Sequence, residues 1–381
     1  MKRAALGLLS ALAAGCSLAA AAAPAAPAAP PPLPAVSAPA WVVEDGAGEV
    51  LAASHAQDRR AIASITKLLT VLVALDHHRL SDVVTVDPRA AAVGQESIAL
   101  RAGERLAVAD LVRGALIQSA NDAAVALALA TSPNLLAFAN LMNAKAERLG
   151  LRHSHFVRPD GLDAPGAYAT AADVTTLARA AMRVPFVRRT VAERTAAIAG
   201  GRTLHTWNDL LGSVPGVVGV KTGHTDDAGW SEVAVERRGP VTVYATVLGG
   251  RTREQRNADL ERLLSWGLSR LLVVEAVAPG RSYARVALPY GLAPLALVPA
   301  SPLRAVVRPE GRLVQRVVAP RLAALPVRRG QVLGEVEVWA GRRLVGRRPL
   351  VAARSVERPG LGGRVTWYAR RTLHHLAGLF T

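Results

Sequence analysis

Lysine is nearly missing from this chain. Its 381 residues include 46 Lys plus Arg, yet only four of these are lysines: Lys2, Lys67, Lys145 and Lys221. Arginine is effectively always protonated, whereas a desolvated lysine amine can become neutral and take up a proton. A retained lysine is therefore a candidate for chemistry that needs a cation able to release its charge. Cysteine is scarcer still, with Cys16 alone, which excludes an internal disulfide framework and any thiolate metal cluster. Long apolar runs are also absent. Beyond the first residues no stretch reaches the roughly 18 uncharged apolar residues of a membrane helix, because charges or prolines interrupt every candidate. The histidines show no metal spacing with a partner carboxylate, so no metal and no cofactor is expected.

What is present begins with an export signal over residues 1–23: Met1-Lys2-Arg3 gives a positive start, Ala4 to Ala14 an apolar run, and Ala21-Ala22-Ala23 a small-residue cleavage site. Cys16 follows Ala13-Ala14-Gly15, a setting similar to a lipoprotein signal with Ala13 where leucine is usual; discard with the signal peptide is the other reading. Either way the mature protein is expected outside the cytoplasm. Residues 24–40 are almost all Pro and Ala and read as an extended spacer, with the folded part beginning after them. With 51% hydrophobic residues and this length, the rest supports two ordinary domains.

Charge is unevenly spread. The net charge is +17, and from Glu275 onward 18 arginines face five glutamates. Nucleic acid is one candidate partner for such a basic segment, but an exported protein rarely meets it, so none is expected. An anionic membrane surface suits it better, and a solvated arginine-rich surface is the bland alternative.

The strip Trp41 to Ser54 has two β-rich arms about Asp45-Gly46-Ala47-Gly48, a hairpin signal. From Ser64 to about Met182 apolar residues recur at i, i+3, i+4 in "SITKLLTVLVALDHH", "LAVADLVRGALIQSANDAAVALALA", "LLAFANLMNAKAERLG" and "TAADVTTLARAAM", predicting helices. Thr170 with Asp173 makes a capping box for the last of these. Strand-like arms return at "GVVGVKTG", "GWSEVAVER" and "VTVYATVLGG", and a helix over Arg253 to Leu271 closes the unit. This order predicts an α+β fold, an antiparallel sheet with a helical subdomain, over residues 41–272. Short β-rich runs split by Gly and Pro predict a small all-β sandwich over 273–356. Residues 357–381 end the chain in an amphipathic helix with Val365, Tyr368, Ala369, Leu373, Leu376, Leu379 and Phe380 on one side and Arg370, Arg371 and His374 opposite. Such a helix suits a membrane interface; a cap packed on the β domain is the alternative.

Ser64 and Lys67 stand three apart, so in a helix opening at Ser64 the two side chains share a face, and the serine hydroxyl sits at the positive end of the helix dipole. Ser-x-x-Lys alone is common, and an N-capping serine explains it equally well. Two more motifs follow in order, Ser119-Ala120-Asn121 and Lys221-Thr222-Gly223. Ser-x-x-Lys, Ser-Asp-Asn and Lys-Thr-Gly, in this order, are the signature of serine β-lactamases and penicillin-binding proteins; this chain has Ala120 in the middle of the second motif, and two of its four lysines fill the lysine slots. A serine needs an adjacent base to become nucleophilic. Lys67 serves as that base if partial burial and the positive charge of Lys221 drive its proton off. Ser119 is placed to relay a proton to a leaving amine, and Asn121 to hold a peptide group. Lys221, Thr222 and Gly223 line a strand edge that an extended peptide joins. The backbone N–H groups of Ser64 and His224 are expected to hold the oxyanion.

With the blocks "IASITKLLT", "SANDAA", "MNAKAERLGL", "DGLDAPGAYATAADVTTLA", "GVVGVKTGHTDDAGW" and "VLGGRTREQRNADLERLLSWG", Trp41 to Leu271 resembles the low-molecular-mass penicillin-binding proteins, the D-alanyl-D-alanine carboxypeptidases. The β domain and terminal helix are similar to those of its membrane-associated members. The resemblance implies a penicillin-binding, β-lactamase-like fold, a periplasmic enzyme at the outer face of the cytoplasmic membrane, and β-lactams as inhibitors. It implies that Ser64 attacks the carbonyl between two terminal D-alanines of a peptidoglycan stem peptide, that the last D-alanine leaves, and that water hydrolyses the acyl-enzyme. Thr222 and, in "GGRT", Arg251 are then expected to meet the substrate carboxylate. Asp160, where some relatives carry histidine, receives no role.

Other functions compete. A β-lactamase shares the triple, but no Glu-x-x-Leu-Asn segment lies between Asn121 and Lys221 to supply the deacylating glutamate of class A enzymes. A D,D-endopeptidase cutting crosslinks uses the same residues. A catalytically silent envelope-binding module would not need every polar slot filled.

Overall fold

The computed structural model describes residues 32–377. The export signal, Cys16 and the first part of the spacer lie outside the described residues.

The chain enters through a hairpin, β1 (Ala40–Asp45) and β2 (Val50–Ser54), as the Asp45–Gly48 turn predicts. Asp45 Oδ1 accepts from the N–H groups of Ala47 and Glu49 at 2.9 and 2.8 Å, which fixes that turn. The spacer's end is not free: Asp259 Oδ2 accepts from Ser37 N at 3.0 Å, Ser37 Oγ at 2.7 Å and Ala38 N at 2.9 Å. Order thus begins before Trp41.

A short 3-10 turn, Ala63–Thr66, leads into α1 (Lys67–His77). β3 (Val83–Thr85), α2 (Pro88–Ala91), β4 (Arg105–Ala107), α3 (Val108–Leu116), α4 (Asn121–Thr131) and α5 (Leu135–Leu149) follow, with β3 and β4 paired as a small ribbon. The long apolar run read as a single helical signal is two helices. Ser119 adopts φ +65° between α3 and α4, a conformation that no residue holds inside an α-helix. α4 is buried from Asn121 to Ala128, which explains its alanines: a helix apolar all round belongs in a core, and small side chains let α1 and α3 pack against it. α6 (Ala171–Arg183) starts at Thr170, whose Oγ1 accepts from Asp173 N at 3.1 Å. Asp173 does not complete the capping box, because its Oδ2 accepts instead from His153 N at 2.8 Å and Ser154 Oγ at 2.7 Å.

After α7 (Pro185–Thr190) and the ribbon of β5 (Thr195–Ile198) with β6 (Arg202–His205), the chain lays down β7 (Val217–Thr225), β8 (Gly229–Arg238) and β9 (Val241–Gly250), then α8 (Arg253–Ser269). The main sheet is antiparallel in the order β2-β1-β9-β8-β7, leaving β7 at its edge. Both faces are covered. Ala40 and Val42 join the core under α1 to α6, while Trp41 and Val43 join a second core under α8, around Leu260, Leu263 and Leu264. Each such buried leucine contributes about 1.5–3 kcal/mol of transfer free energy.

From Leu272 onward the described elements up to Ala352 are strands: β10 (Leu272–Val277), β11 (Ala284–Val286), β12 (Leu295–Pro299), β13 (Leu303–Val307), β14 (Leu313–Val318), β15 (Val332–Ala340) and β16 (Arg343–Ala352). β10 pairs with β13, and the other five form a sheet in the order β11-β12-β16-β15-β14. They close on their own core of Val286, Leu295, Leu297, Val336, Val338 and Leu350. α9 (Leu361–Ala377) ends the described chain. Trp367 packs edge-on against Tyr290 at 5.7 Å between ring centres, whereas Val365 and Leu373 are each 66% exposed. Val365 and Leu373 of the apolar side are thus left uncovered, while Tyr368 meets Tyr290 with ring centres 6.4 Å apart; Leu379 and Phe380 lie outside the described residues. No single helix among the described residues is long and apolar enough to cross a membrane.

Candidate active site

Three chain segments meet at one end of the sheet: the turn before α1, the α3–α4 corner, and the edge strand β7. Their meeting depends on a glycine. A Cβ on Gly223 would stand 2.5 Å from the carbonyl oxygen of Ile62, closer than atoms pack, so only glycine lets β7 lie against the Ser64 turn. Ala63, just before Ser64, holds φ +47°, a conformation costly for a residue with a side chain and characteristic of functional sites. Ser64 is not the capping residue here: Ile62 caps the turn and Thr66 caps α1, neither with a side-chain bond, and the Ser64 hydroxyl meets Lys67 instead.

Lys67 lies at the centre. It is fully buried, and its Nζ stands 2.6 Å from Ser64 Oγ, 2.7 Å from Asn121 Oδ1 and 2.7 Å from the carbonyl oxygen of Asp160. The amide and peptide oxygens can only accept. A neutral amine has two N–H groups and one lone pair, so both N–H groups go to these oxygens and the lone pair is left facing the serine hydroxyl. Burial lowers the Lys67 pKa from 10.5 to about 7, against the opposing pull of Asp160, Glu96 and Asp122. Of the two expected causes, burial is the one that drives this proton off, through loss of hydration; the expected contribution of Lys221 is corrected, since it is not among the causes. Lys221 is itself pushed well below its ordinary value, first by burial and then by the charge of Lys67.

Lys221 Nζ donates to Ser119 Oγ at 2.9 Å and to the Thr222 carbonyl at 2.9 Å. Ser119 therefore lies on the Lys221 side of the cleft and Ser64 on the Lys67 side. Asn121 also has structural work: its amide oxygen holds Lys67, and one amide N–H goes to the Gly94 carbonyl at 3.1 Å, which leaves its second N–H for a peptide group. Ser64, Ser119, Thr222, Gly223 and His224 line a cleft of about 310 Å3. The ring of His224 stacks on Trp230 with centres 4.0 Å apart, leaving its backbone to face the turn.

Arg251 is not brought to this cleft. It is exposed in the connection between β9 and α8, outside the lining residues. The guanidinium groups on the wall are those of Arg253 and Arg256. Arg256 Nε lies 3.0 Å from Glu232, in register with Thr222 across β7 and β8, and Arg256 Nη2 lies 3.3 Å from Asp209. Both oxygens of the Asp209 carboxylate also accept from one edge of the Arg253 guanidinium, Oδ2 from Nε and Oδ1 from Nη2. Burial raises the Glu232 carboxyl to about 7, opposed by Arg256. Nothing in the local pattern of residues singled out Glu232, Arg256 or Asp209, which converge only when strands and helix are packed. Asp160, left without a role, supplies a backbone oxygen to Lys67, while its side chain pairs with Arg158 at 2.7 Å. Among the described residues no group of His, Cys, Asp and Glu is arranged to hold a metal ion.

The sequence profile of the D-alanyl-D-alanine carboxypeptidase family matches residues 25–252. The D-alanyl-D-alanine carboxypeptidases DacC and DacA of Escherichia coli (strain K12) are 33% and 30% identical to this chain, each alignment covering 91% of it and 90% of the relative. Among solved structures, penicillin binding protein 6B from Escherichia coli is 29% identical with a TM-score of 0.63, over 84% of this chain and 97% of that one. Penicillin-Binding Protein D2 from Listeria monocytogenes, solved in an ampicillin-bound form, is 31% identical with a TM-score of 0.57, over 62% of this chain and 100% of that one.

Proposed function

The chain belongs to the D-alanyl-D-alanine carboxypeptidase family, and from that premise we propose that it removes the terminal D-alanine from peptidoglycan stem peptides through an acyl-enzyme on Ser64. The observation that carries this reading is the buried amine of Lys67, 2.6 Å from Ser64 Oγ with two obligate acceptors on its other sides. Such an amine takes the serine proton as Oγ attacks the carbonyl between the two D-alanines. The N–H groups of Ser64 and His224 hold the oxyanion. Ser119, tied to Lys221, returns a proton to the leaving amine, and D-alanine departs. Water then hydrolyses the ester. The peptide lies along the free edge of β7, with its terminal carboxylate drawn to Thr222, Lys221 and the buried guanidinium of Arg256. A β-lactam is attacked at its ring carbonyl in the same way, but its leaving nitrogen stays tethered, so the acyl-enzyme persists.

Export to the periplasm and seating on the outer face of the cytoplasmic membrane complete the proposal. Support comes from the exposed apolar side of α9, with Leu361, Val365, Tyr368 and Leu373 all more than half exposed, and from the excess of arginines in the same part of the chain. No nucleic acid is invoked.

Labelling with a fluorescent penicillin tests the central claim. The intact protein is expected to label, with the label mapping to the peptide containing Ser64, and Ser64→Ala to stay dark and release no D-alanine. Label on another residue overturns the assignment. Products from pentapeptide and from crosslinked muropeptides separate carboxypeptidase from endopeptidase, and rapid repeated hydrolysis of a chromogenic cephalosporin would make the protein a β-lactamase.

A further inference from the structure

Two carboxylates stand behind the arginines of the cleft wall, and they are held differently. Asp209 accepts from Arg253 on both oxygens, from Asn257 Nδ2 at 2.9 Å and from Arg256 Nη2 at 3.3 Å. Burial works against its charge, yet the bonds from Arg253 and Asn257 hold its carboxyl below the ordinary value. Glu232 is 0% exposed, and among the described residues neither of its oxygens accepts a hydrogen bond; its contact is the charge of Arg256, with Nε at 3.0 Å. A buried carboxylate with a charge partner but no hydrogen bonds gives up its charge readily. Burial raises it to about 7 against the pull of Arg256; Asp209 adds to the rise, while Lys221 and Arg253 oppose it.

The place of this carboxylate matters for a ligand. Glu232 lies on β8 opposite Thr222. The contacts that fix Arg256 fall on its Nε and Nη2 edge, to Asn257, Asp209 and Glu232, which leaves Nη1 for the cleft that Arg256 lines. With Glu232 ionised, the two guanidinium groups face two carboxylates, and burial disfavours the ammonium form of Lys221 beside them. Such a wall has little net charge to offer an incoming carboxylate. Protonation of Glu232 leaves one positive charge over, which matches the single carboxylate that ends the substrate. The neutral carboxyl still keeps an oxygen able to accept from Arg256, so the guanidinium stays in place.

We propose that Glu232 is a positioning residue that holds Arg256 in the cleft wall and takes up a proton from solvent as the substrate's terminal carboxylate arrives there, returning it when D-alanine leaves. This rests on the peptidase reading above. Binding is then favoured where Glu232 is already neutral, below about pH 7, and weakens as pH rises through that value. The chemical step follows Lys67 and is not moved. The test is D-alanine release from a peptide ending in D-alanyl-D-alanine, with KM and kcat followed separately from pH 7 to 9. For the intact protein KM is expected to rise about fivefold between pH 7 and 8 while kcat holds its plateau. Glu232→Gln, whose amide oxygen still accepts from Arg256, is expected to keep KM flat and to show about a tenfold lower KM than the intact protein at pH 8, with kcat unchanged. Glu232→Met, which fills similar space with no proton to exchange, should share the flat profile. Replacing a group that only supported the fold would instead impair the enzyme at every pH. A flat KM in the intact protein overturns the proton uptake and leaves the peptidase reading standing; a rise that survives in Glu232→Gln or Glu232→Met puts the proton on another group, Lys221 first, and overturns the role of Glu232. Failure to release D-alanine at any pH, together with failure to label with penicillin, overturns the peptidase reading itself.

Discussion

The cleft and the β strands beyond Leu272 treat positive charge in opposite ways. In the cleft, Lys67 and Lys221 are 0% and 2% exposed, and loss of hydration makes their protonation variable. Beyond Leu272 the cations are arginines, among them Arg312, Arg316 and Arg321 on the surface, whose charge is permanent whatever surrounds them. Lys145 sharpens the contrast: it is a lysine outside the cleft, and it makes an ordinary ion pair with Asp76 at 2.7 Å. Burial, then, turns a cation into a base. The residue type only decides whether that conversion is possible.

Exchanging the types breaks the comparison most severely. Lys67→Arg keeps a cation but loses a removable proton, and is expected to slow penicillin acylation about 10^3-fold, within the span of general-base catalysis. Lys145→Arg should leave the rate unchanged. Acylation by a labelled β-lactam, followed in time, measures both. If Lys67→Arg acylates at a normal rate, the base lies elsewhere.

The next largest effect is that of acidity. The base must be neutral, and its pKa is about 7 rather than 10.5. Acylation should therefore be near its plateau above pH 7 and fall about tenfold for each unit below it. A profile still climbing steeply between pH 8 and 10 would mean that Lys67 keeps its proton as an exposed lysine does.

Geometry is tested by Gly223→Ala, which forces a Cβ to within 2.5 Å of the Ile62 carbonyl. A loss of about 1–3 kcal/mol in stability is expected, seen as a lower Tm together with slower acylation. On the arginine side the effect on chemistry should be least: removing residues 361–381 is expected to leave D-alanine release from small peptides unchanged while shifting the protein from the membrane pellet to the supernatant. Continued sedimentation with membranes would point to Cys16 or the β strands as the anchor.

How much of this was readable beforehand depends on how locally each feature is encoded. The α+β order, the hairpin at Asp45 and the ordered motif triple are written in adjacent residues, and the structure brings Ser64, Lys67, Ser119, Asn121 and Lys221 together. Of the two causes expected for the Lys67 shift, burial holds and is announced by the apolar run LLTVLVAL after Lys67, a sign of a buried helix, whereas the expected push from Lys221 is not among its causes. Arg253 and Arg256 reach the cleft wall from the start of α8 and meet Glu232 on β8 and Asp209 in the turn after β6 behind it, a convergence that no window of sequence displays. Arg251 differs from Arg253 by two positions, enough at a helix start to turn a side chain out of the cleft.

The latch at the front of the chain sets where the folded unit can be cut. Asp259, 1% exposed, receives three hydrogen bonds on Oδ2 from Ser37 and Ala38. A protein trimmed to start at Trp41 would leave Oδ2 without these donors, with only Oδ1 still held by Arg262 at 3.1 Å, at a cost of about 1–3 kcal/mol, whereas one trimmed to start a residue or two before Ser37 would retain them. The end of the Pro/Ala stretch, Ser37 and Ala38, is thus a working part of the folded unit.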